Sequence, residues 1–376
     1  MSQKPLLISV ILPCLNEEKT VGRCVQQAKN SLDRLGVKGE VVVCDNGSTD
    51  NSAQFARKAG AKVVYELKRG YGSAYLTGIK AAKGNWLVIG DSDGTYDFRE
   101  VNRFINQLQA GYDLVVGSRF KGRLSRGSMP FLNRFLGTPT LNWFLNLFYH
   151  LKLTDSQSGM RAFTKKAFAK LKLKSVGMEF ASEMLVRAAQ ENLKISEVPI
   201  SYAKRITPSK LSRFRDAWRH IRFMFLFAPT YLFIVPGLIL LGIGLAGVLV
   251  LFRGPWLGLD YHSMILASML ALLGYQVVMM GVYAKAFSWT QRFNQKSLLL
   301  ETTLRYFKLE KGIILGALLS LVGLVIGLVA FINWAKKGFG ELSAIRPAVL
   351  SMTLVVLGIQ IIFSSFFLSI LGIEKK

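Results

Sequence analysis

The sequence predicts an α/β domain with a doubly wound, mostly parallel sheet, followed by an all-α membrane bundle of about four helices. Two observations support this fold class. Up to about Arg222, short apolar runs typical of buried strands alternate with segments of helical periodicity. From Phe223 onward long apolar runs dominate, and a water-soluble fold could not easily cover them. The 376 residues, 51% of them hydrophobic, are enough for both units.

The α/β part contains five apolar runs that predict strands, with helical segments between them. The predicted strands are Leu6–Leu12, Glu40–Asp45, Lys62–Tyr65, Trp86–Gly90 and Asp113–Gly117, and Lys194–Ser201 is predicted as an edge strand. The predicted helices between them are Glu17–Leu35, Ser52–Ala59, Tyr71–Ala82 and Phe98–Gln109. The basic, Gly- and Ser-rich segment Phe120–Pro130 predicts a mobile loop. Ligands of such sheets bind outside the carboxyl ends of the strands, so the residues that follow the strands are the site candidates.

The membrane part contains four apolar segments, each near the roughly 20 residues that span hydrocarbon. They are 227–252, 263–284, 312–334 and 347–371. We therefore divide the chain into a domain at 1–203, a basic interfacial region at 204–226 that includes an amphipathic helix over Leu211–Phe227, and a membrane domain at 227–376.

Charges in the loops predict the orientation of the spans. Lys and Arg are abundant before the first span and between the second and third, whereas the loop after the first span holds only Arg253. The third loop, with Lys336, Lys337 and Arg346, is a mild counter-signal. Positive loops stay cytoplasmic, so we expect the α/β domain and both termini on that side of a cell membrane or an ER-type membrane.

A net charge of +25 leaves nucleic acid, an anionic membrane or phosphorylated small molecules as partners. The sequence has no aromatic-interleaved RNA motif, zinc finger or basic coiled coil, so we predict no nucleic-acid partner. The clearest basic run, Lys204–Arg222, directly precedes an apolar segment, which favours anionic lipid and phosphate. The three cysteines Cys14, Cys24 and Cys44 lack zinc or redox spacing and are interpreted as buried small side chains.

The strongest chemical signal is the acidic turn Asp91–Asp93 at the end of the fourth predicted strand. Two carboxylates one residue apart can reach one small space, where a divalent cation relieves their repulsion. Mg²⁺ or Mn²⁺, held by few carboxylates and by substrate phosphates, fits this arrangement. The alternative is an acidic turn that caps the next helix, a task that Asp97 could perform alone.

Two further polar segments follow the first and second strands, Pro13–Glu18 and Asp45–Asp50. Each could be a loop with a helix cap, but together they place polar groups on the edge that carries the acidic turn, where a base and a ribose need them. No G-x-G-x-x-G follows the first strand, which argues against a dinucleotide fold.

Six motifs in order resemble those of family 2 inverting glycosyltransferases and, more narrowly, of polyprenyl-phosphate hexose synthases such as dolichyl-phosphate mannose and glucose synthases. They are Pro13–Glu17, Asp45–Asp50, Lys68–Gly72, Asp91–Asp93, Gly117–Arg119 and Asp155–Arg161, within roughly residues 5–225. The resemblance implies a GT-A fold. It also implies metal and diphosphate binding by Asp91 and Asp93, and acceptor-phosphate binding by Arg119 and Arg134. The residues implied on the nucleoside side are Pro13, Leu15, Asn16, Glu17, Asp45, Arg69 and Gly70.

Several other residues are candidates, and most of them allow two interpretations. Asn46 in the second polar segment and Ser92 in the acidic turn are further candidates for donor binding, and Lys210 could close over the donor diphosphate or face lipid headgroups. Glu183 could be a solvated charge or face the sugar hydroxyls. Arg119, Arg134 and Arg161 could also be ordinary surface arginines. Thr95 stands where some mannose synthases carry a Gln metal ligand, which weakens GDP-mannose as donor, and the absence of Q-x-x-R-W argues against a processive synthase.

The predicted reaction is the inverting transfer of one hexose from a UDP- or GDP-hexose to undecaprenyl or dolichyl phosphate. The acceptor phosphate, with a second pKa of about 6, is ionised at neutral pH, so it needs no strong general base. Transfer to a glycerolipid or ceramide hydroxyl is the alternative, in which a base such as Asp155 becomes essential. A transporter or flippase-like protein with a degenerate nucleotide domain is the alternative of another class, although the spans carry few charges. The sequence also leaves open whether the protein forms a homo-oligomer.

Overall fold

The computed structural model describes residues 7–207, 229–290, 309–339 and 344–373. The chain forms two compact units, Met1–Phe227 and Ala228–Lys376. The predicted interfacial helix Leu211–Phe227 and the candidate Lys210 lie outside the described residues and stay predictions.

The first unit is built on one seven-stranded mixed sheet. Its strands are β1 (Leu7–Cys14), β2 (Lys38–Asp45), β3 (Lys62–Tyr65), β4 (Trp86–Ile89), β5 (Leu114–Leu124), β6 (Arg161–Thr164) and β7 (Ile195–Tyr202). Their order is β3-β2-β1-β4-β6-β5-β7. All neighbours run parallel except β6, which is antiparallel to both β4 and β5. The predicted mostly parallel sheet is confirmed, with β7 as an edge strand.

Helices cover both faces of this sheet. They are α1 (Val21–Arg34), α2 (Ser52–Lys58), α3 (Tyr71–Ala81), α4 (Val101–Gln109), α5 (Thr138–Tyr149), α6 (Lys165–Leu171) and α7 (Phe180–Gln190). Helix α1 buries Val21, Cys24, Val25 and Ala28, the i, i+3, i+4 spacing that predicted it. One core lies between the sheet and α1 and α4, and a second lies between the sheet and α3, α5 and α7. The helices leave the carboxyl edge of β1, β2 and β4 to the polar loops.

The predicted mobile loop Phe120–Pro130 is wrong in its first part. Strand β5 continues to Leu124 and pairs with Ser201 and Tyr202 of β7 after a shift in register. Gly122 makes this pairing possible, because a Cβ there would lie 2.0 Å from the carbonyl oxygen of Ile200. The basic, Gly-rich composition of this segment predicted a loop. Its first part forms a strand because the backbone of β7 supplies hydrogen-bond partners.

The second unit consists of long apolar helices. They are α8 (Val235–Phe252), preceded by a π-helical turn at Thr230–Ile234, then α9 (Tyr261–Thr290), α10 (Leu309–Lys336) and α11 (Ile345–Ile373). Among the residues that the structure describes, four segments are long and apolar enough to cross a membrane: Thr230–Phe252, Tyr261–Phe287, Leu309–Lys336 and Ile345–Leu371. The four apolar helices of the predicted bundle are thereby confirmed. Glycines bring the helices close: a Cβ on Gly244 would lie 2.2 Å from the backbone of α9, and one on Gly316 would lie 2.5 Å from that of α11.

Candidate active site

The loops that follow β1 and β2 are bound to each other. The backbone N–H groups of Asn16 and Glu17 donate to the hydroxyls of Ser48 and Ser52, at 3.0 and 2.8 Å. In return, Asn16 Oδ1 accepts the N–H of Thr49 at 2.7 Å. Asn16 has a φ of 51°, a left-handed conformation that asparagine tolerates better than most residues. The two predicted nucleoside loops therefore form one unit.

A second set of bonds ties these loops to the acidic turn after β4. The hydroxyl of Ser92 donates to the carbonyl of Pro13 at 2.6 Å, and that of Thr20 donates to the carbonyl of Ser92 at 2.7 Å. Asp45 is buried at the end of β2, and Leu15, the residue after β1, is partly exposed. The structure thus brings the predicted nucleoside residues and the acidic turn to one edge of the sheet.

Asn46 holds the loop before α3. Its side-chain amide donates to the carbonyls of Glu66 and Lys68 at 2.9 and 3.0 Å, and its Oδ1 accepts the N–H of Gly70 at 2.7 Å. These three bonds occupy the amide, so Asn46 shapes the loop. The Arg69 guanidinium stays exposed at this position.

Asp91 is bonded by two tyrosines. The hydroxyls of Tyr71 and Tyr75 lie 2.9 and 3.0 Å from the same oxygen, Oδ1. Burial, and then the neighbouring charge of Asp93, raise the pKa of Asp91 to about 6. Burial also raises the pKa of both tyrosines well above its usual value, so both stay protonated and donate.

Asp93 pairs with an arginine that is distant in sequence, Arg205. Its Oδ1 accepts the N–H and hydroxyl of Thr95 at 3.0 and 2.6 Å, and its Oδ2 lies 3.3 Å from Nε of Arg205. Arg205 also lies 2.7 Å from Oε1 of Glu17, whose other oxygen accepts the hydroxyl of Thr207 at 2.7 Å. Arg205 belongs to the predicted interfacial region 204–226, yet it reaches this site. No local pattern could have placed it here, because 188 residues separate it from Glu17.

The donor set at Asp91 and Asp93 fits Mg²⁺ or Mn²⁺. Within the described ranges no group of three or more His, Cys, Asp or Glu side chains could hold a metal, so the protein offers these two carboxylates. Mg²⁺ commonly binds through one or two carboxylates plus phosphates and water. Glycine at position 159 keeps a side chain away from the second oxygen of Asp91, because a Cβ there would lie only 2.9 Å from Oδ2 and 2.8 Å from the Tyr71 hydroxyl.

Arg119 and Asp155 form a buried, bidentate ion pair. Nε and Nη2 of Arg119 lie 2.7 and 2.8 Å from the two oxygens of Asp155, which is fully buried. The guanidinium also lies 5.1 Å from the ring centroid of Tyr202. Arg134 differs: it is exposed in the turn Asn133–Gly137, and no acidic side chain pairs with it in the part of the chain that the structure describes.

The loop from Asp155 to β6 connects these two regions. At one end Asp155 binds Arg119, and near the other Gly159 lies against Asp91 and donates its N–H to the Tyr96 hydroxyl at 2.7 Å. Arg161 anchors the loop: it is 1% exposed, and its guanidinium donates to the carbonyls of Ser156, Ser158 and Ala181. The interpretation of Arg161 as an ordinary surface arginine is therefore wrong.

Glu183 is buried in α7, and its carboxylate accepts backbone N–H groups of Ser175 at 2.8 Å and Lys174 at 3.1 Å. Glu183 is therefore not a solvated charge, and its carboxylate binds backbone N–H groups where the sequence suggested sugar hydroxyls. The loop that it holds packs on the start of α3, where a Cβ on Gly72 would lie 2.2 Å from the Ser175 carbonyl oxygen.

Gly159→Ala is expected to impair the site while the fold persists. The added methyl would meet the ends of Asp91, Tyr71 and Tyr96, which can yield by shifting. Displacement of these side chains should raise the activation free energy by about 1–3 kcal/mol, which corresponds to a loss of turnover of about 10- to 100-fold. The matched control is Gly22→Ala, whose Cβ would meet only ordinary contact at 3.9 Å. Equal turnover by both variants would show that a methyl group at position 159 does not disturb Asp91 and its neighbours.

Both units match known families. Residues 9–172 match the family described as Glycosyl transferase family 2, and residues 282–372 match the Glycosyltransferase family 2 C-terminal transmembrane region. The chain resembles the low-salt glycan biosynthesis hexosyltransferase Agl6 of Haloferax volcanii, with 37% identity over 97% of this chain and 89% of that protein. It also resembles the dolichyl-phosphate hexose transferase of the same organism, with 30% identity over 55% of this chain and 87% of that protein.

Among solved structures, the chain resembles glucosyl-3-phosphoglycerate synthase from Mycobacterium tuberculosis in complex with phosphoglyceric acid. The TM-score is 0.49 at 23% identity, over 59% of this chain and 80% of that one. The family rests on the sequence matches, which cover both units and nearly the full length of the Haloferax hexosyltransferase. This chain is a member of glycosyltransferase family 2, an integral membrane enzyme with a GT-A fold and the C-terminal transmembrane region of that family.

Proposed function

We propose that this enzyme transfers one hexose from a nucleotide diphosphate sugar, UDP- or GDP-linked, to a polyprenyl phosphate at the cytoplasmic membrane face. The observation that carries the proposal is the loop Asp155–Arg161, which lies against Asp91 and also holds Arg119. One segment thus contacts both a carboxylate proposed to bind a cation and an arginine suited to phosphate. Similarity to a dolichyl-phosphate hexose transferase adds support for this acceptor class.

On the donor side, we propose that the loops after β1 and β2 hold the nucleoside and that Asp91 and Asp93 hold Mg²⁺ or Mn²⁺. The cation, when bound, neutralises charge on the leaving diphosphate. Arg205 lies beside Asp93, at the same edge, and is placed to add positive charge to that side. The exposed Arg69 lines the nucleoside side of the edge.

On the acceptor side, we propose that Arg119 and Arg134 bind the lipid phosphate. A phosphate oxygen attacks the anomeric carbon, the bond from that carbon to the nucleoside diphosphate breaks, and the configuration inverts. The nucleophile is already ionised, so positioning replaces proton abstraction. The environment of Asp155 favours this acceptor over a lipid hydroxyl: both its oxygens bind Arg119, so its role is to orient that side chain.

The test of this proposal uses purified enzyme in detergent with a panel of labelled sugar nucleotides. Undecaprenyl and dolichyl phosphate are offered in parallel with diacylglycerol and ceramide, and the lipid product is identified by mass spectrometry. We expect a single hexose on a polyprenyl phosphate. Transfer to diacylglycerol or ceramide alone would establish the hydroxyl-acceptor alternative, and no transfer to any lipid would reject the proposed acceptors.

We also predict that the loop around Gln295 is cytoplasmic and that the loop around Leu259 is on the opposite side, because positive loops stay inside. Gln295→Cys and Leu259→Cys are labelled with a membrane-impermeant maleimide in intact cells. The native cysteines Cys14, Cys24 and Cys44 are buried, so the background should be low. Only Leu259→Cys should react before lysis, and the reverse pattern would overturn the orientation.

A further inference from the structure

Tyr71 and Tyr75 direct both their hydroxyls to one oxygen of Asp91. The two residues are four apart on α3 and therefore lie one above the other on the same helix face. Their hydroxyls lie 2.9 and 3.0 Å from Oδ1. A carboxylate oxygen has two main acceptor directions, so two donors occupy Oδ1. Only Oδ2 of Asp91 keeps its acceptor capacity.

The tyrosines are fixed by packing. Tyr75 is fully buried and stacks on Phe180, with ring centroids 5.5 Å apart and planes 11° apart. Tyr71 meets Tyr75 edge to face at 4.8 Å. The first turn of α3 is held from outside, because the N–H of Ser73 donates to the carbonyl of Val176 at 3.2 Å. This packing fixes where the two hydroxyls meet the Asp91 carboxylate.

The other oxygen, Oδ2, lies against Gly159. A Cβ at position 159 would lie only 2.9 Å from Oδ2, so the glycine keeps a side chain away from the atom that the tyrosines do not use. We infer that Tyr71 and Tyr75 are positioning residues that restrict Asp91 to binding a cation through Oδ2 alone, and that they thereby select small octahedral cations over Ca²⁺. This inference rests on the proposed function, in which Asp91 and Asp93 bind a divalent cation.

The selection follows from coordination chemistry. Mg²⁺ demands near-ideal octahedral geometry, whereas Ca²⁺ accepts six to eight oxygens and readily takes a carboxylate through both of its oxygens. Two-oxygen binding needs Oδ1, which the tyrosine hydroxyls hold. Groups that orient a ligand in this way change metal affinity about 10- to 100-fold when they are removed. Phenylalanine at either position keeps the ring and removes only the hydroxyl.

The experiment measures Mn²⁺ binding directly, by the loss of the electron paramagnetic resonance signal of free Mn²⁺ on titration with full-length enzyme in detergent. Ca²⁺ is then added as competitor to obtain the ratio of the two affinities. For Tyr71→Phe/Tyr75→Phe we expect Mn²⁺ to bind about 10- to 100-fold more weakly and the ratio to shift about tenfold toward Ca²⁺. Tyr71→Phe alone, at a partly exposed ring, should shift the ratio in the same direction and guards against misfolding of the double variant.

Two controls separate the possible failures. Tyr112→Phe, at a partly buried tyrosine of the α4–β5 connection, should bind both ions like the wild type. Asp93→Asn should lose Mn²⁺ binding, and if it binds as the wild type does, the proposed metal site itself is rejected. If Asp93→Asn loses Mn²⁺ while the tyrosine variants match the wild type in affinity and ratio, the tyrosines serve packing alone and the inference is overturned.

Discussion

Asp93→Asn is expected to reduce sugar transfer by about 10³-fold, because a catalytic cation contributes several kcal/mol and each 1.36 kcal/mol is a factor of about ten. The amide keeps the shape of Asp93 and can still accept the two bonds from Thr95, so the loop should hold its conformation. What is lost is the negative charge next to Asp91, which also faces Arg205. Single-turnover transfer with saturating donor, in Mg²⁺ and in EDTA, measures the effect.

The matched control is Asp97→Asn in the same loop. The Asp97 carboxylate pairs with the exposed Arg99 and accepts its N–H at the start of the next helical turn. Exposed pairs contribute about 0–1 kcal/mol, so this variant should stay within about fivefold of wild-type activity. Undiminished transfer by Asp93→Asn in EDTA would rule out the metal-dependent mechanism.

The second large effect is expected for Arg134→Ala, which should weaken use of the lipid phosphate by about 10- to 100-fold. A charge-assisted hydrogen bond to a charged group contributes about 1.5–3 kcal/mol, which corresponds to that range. Arg134 is exposed, so the variant should fold normally. Nucleotide-sugar affinity, measured by calorimetry, should not change, because the donor residues lie in the loops after β1, β2 and β4. Kinetics with varied polyprenyl phosphate measure the acceptor effect.

Arg126→Ala, at an exposed arginine of the preceding loop, is the matched control for loss of surface charge. If Arg134→Ala lost donor affinity and kept its acceptor kinetics, Arg134 would belong to the donor-phosphate site and not to the acceptor-phosphate site. If neither quantity changed, Arg134 would be an ordinary surface charge. Arg119→Ala is a less specific probe, because it leaves Asp155 buried without its cation, which costs about 3–5 kcal/mol of stability.

Local sequence patterns determined most of the architecture. Apolar runs predicted β1 to β4 and the four spans, because hydrophobic periodicity reflects burial within a few residues along the chain. The acidic turn Asp91–Asp93 and the polar loops after β1 and β2 were recognisable for a related reason: the carboxyl ends of parallel strands meet at one edge, so strand order alone brings them together.

Only the tertiary structure decided what surrounds these groups. Arg205 reaches Asp93, Asp155 binds Arg119, and Glu183 holds the loop that covers α3. The two tyrosines of α3 could be suspected from their spacing, but their shared bond to Asp91 could not. Each of these contacts joins segments that are distant in sequence, and a buried charge or hydroxyl takes the partner that the packed fold brings to it, for which no local periodicity codes.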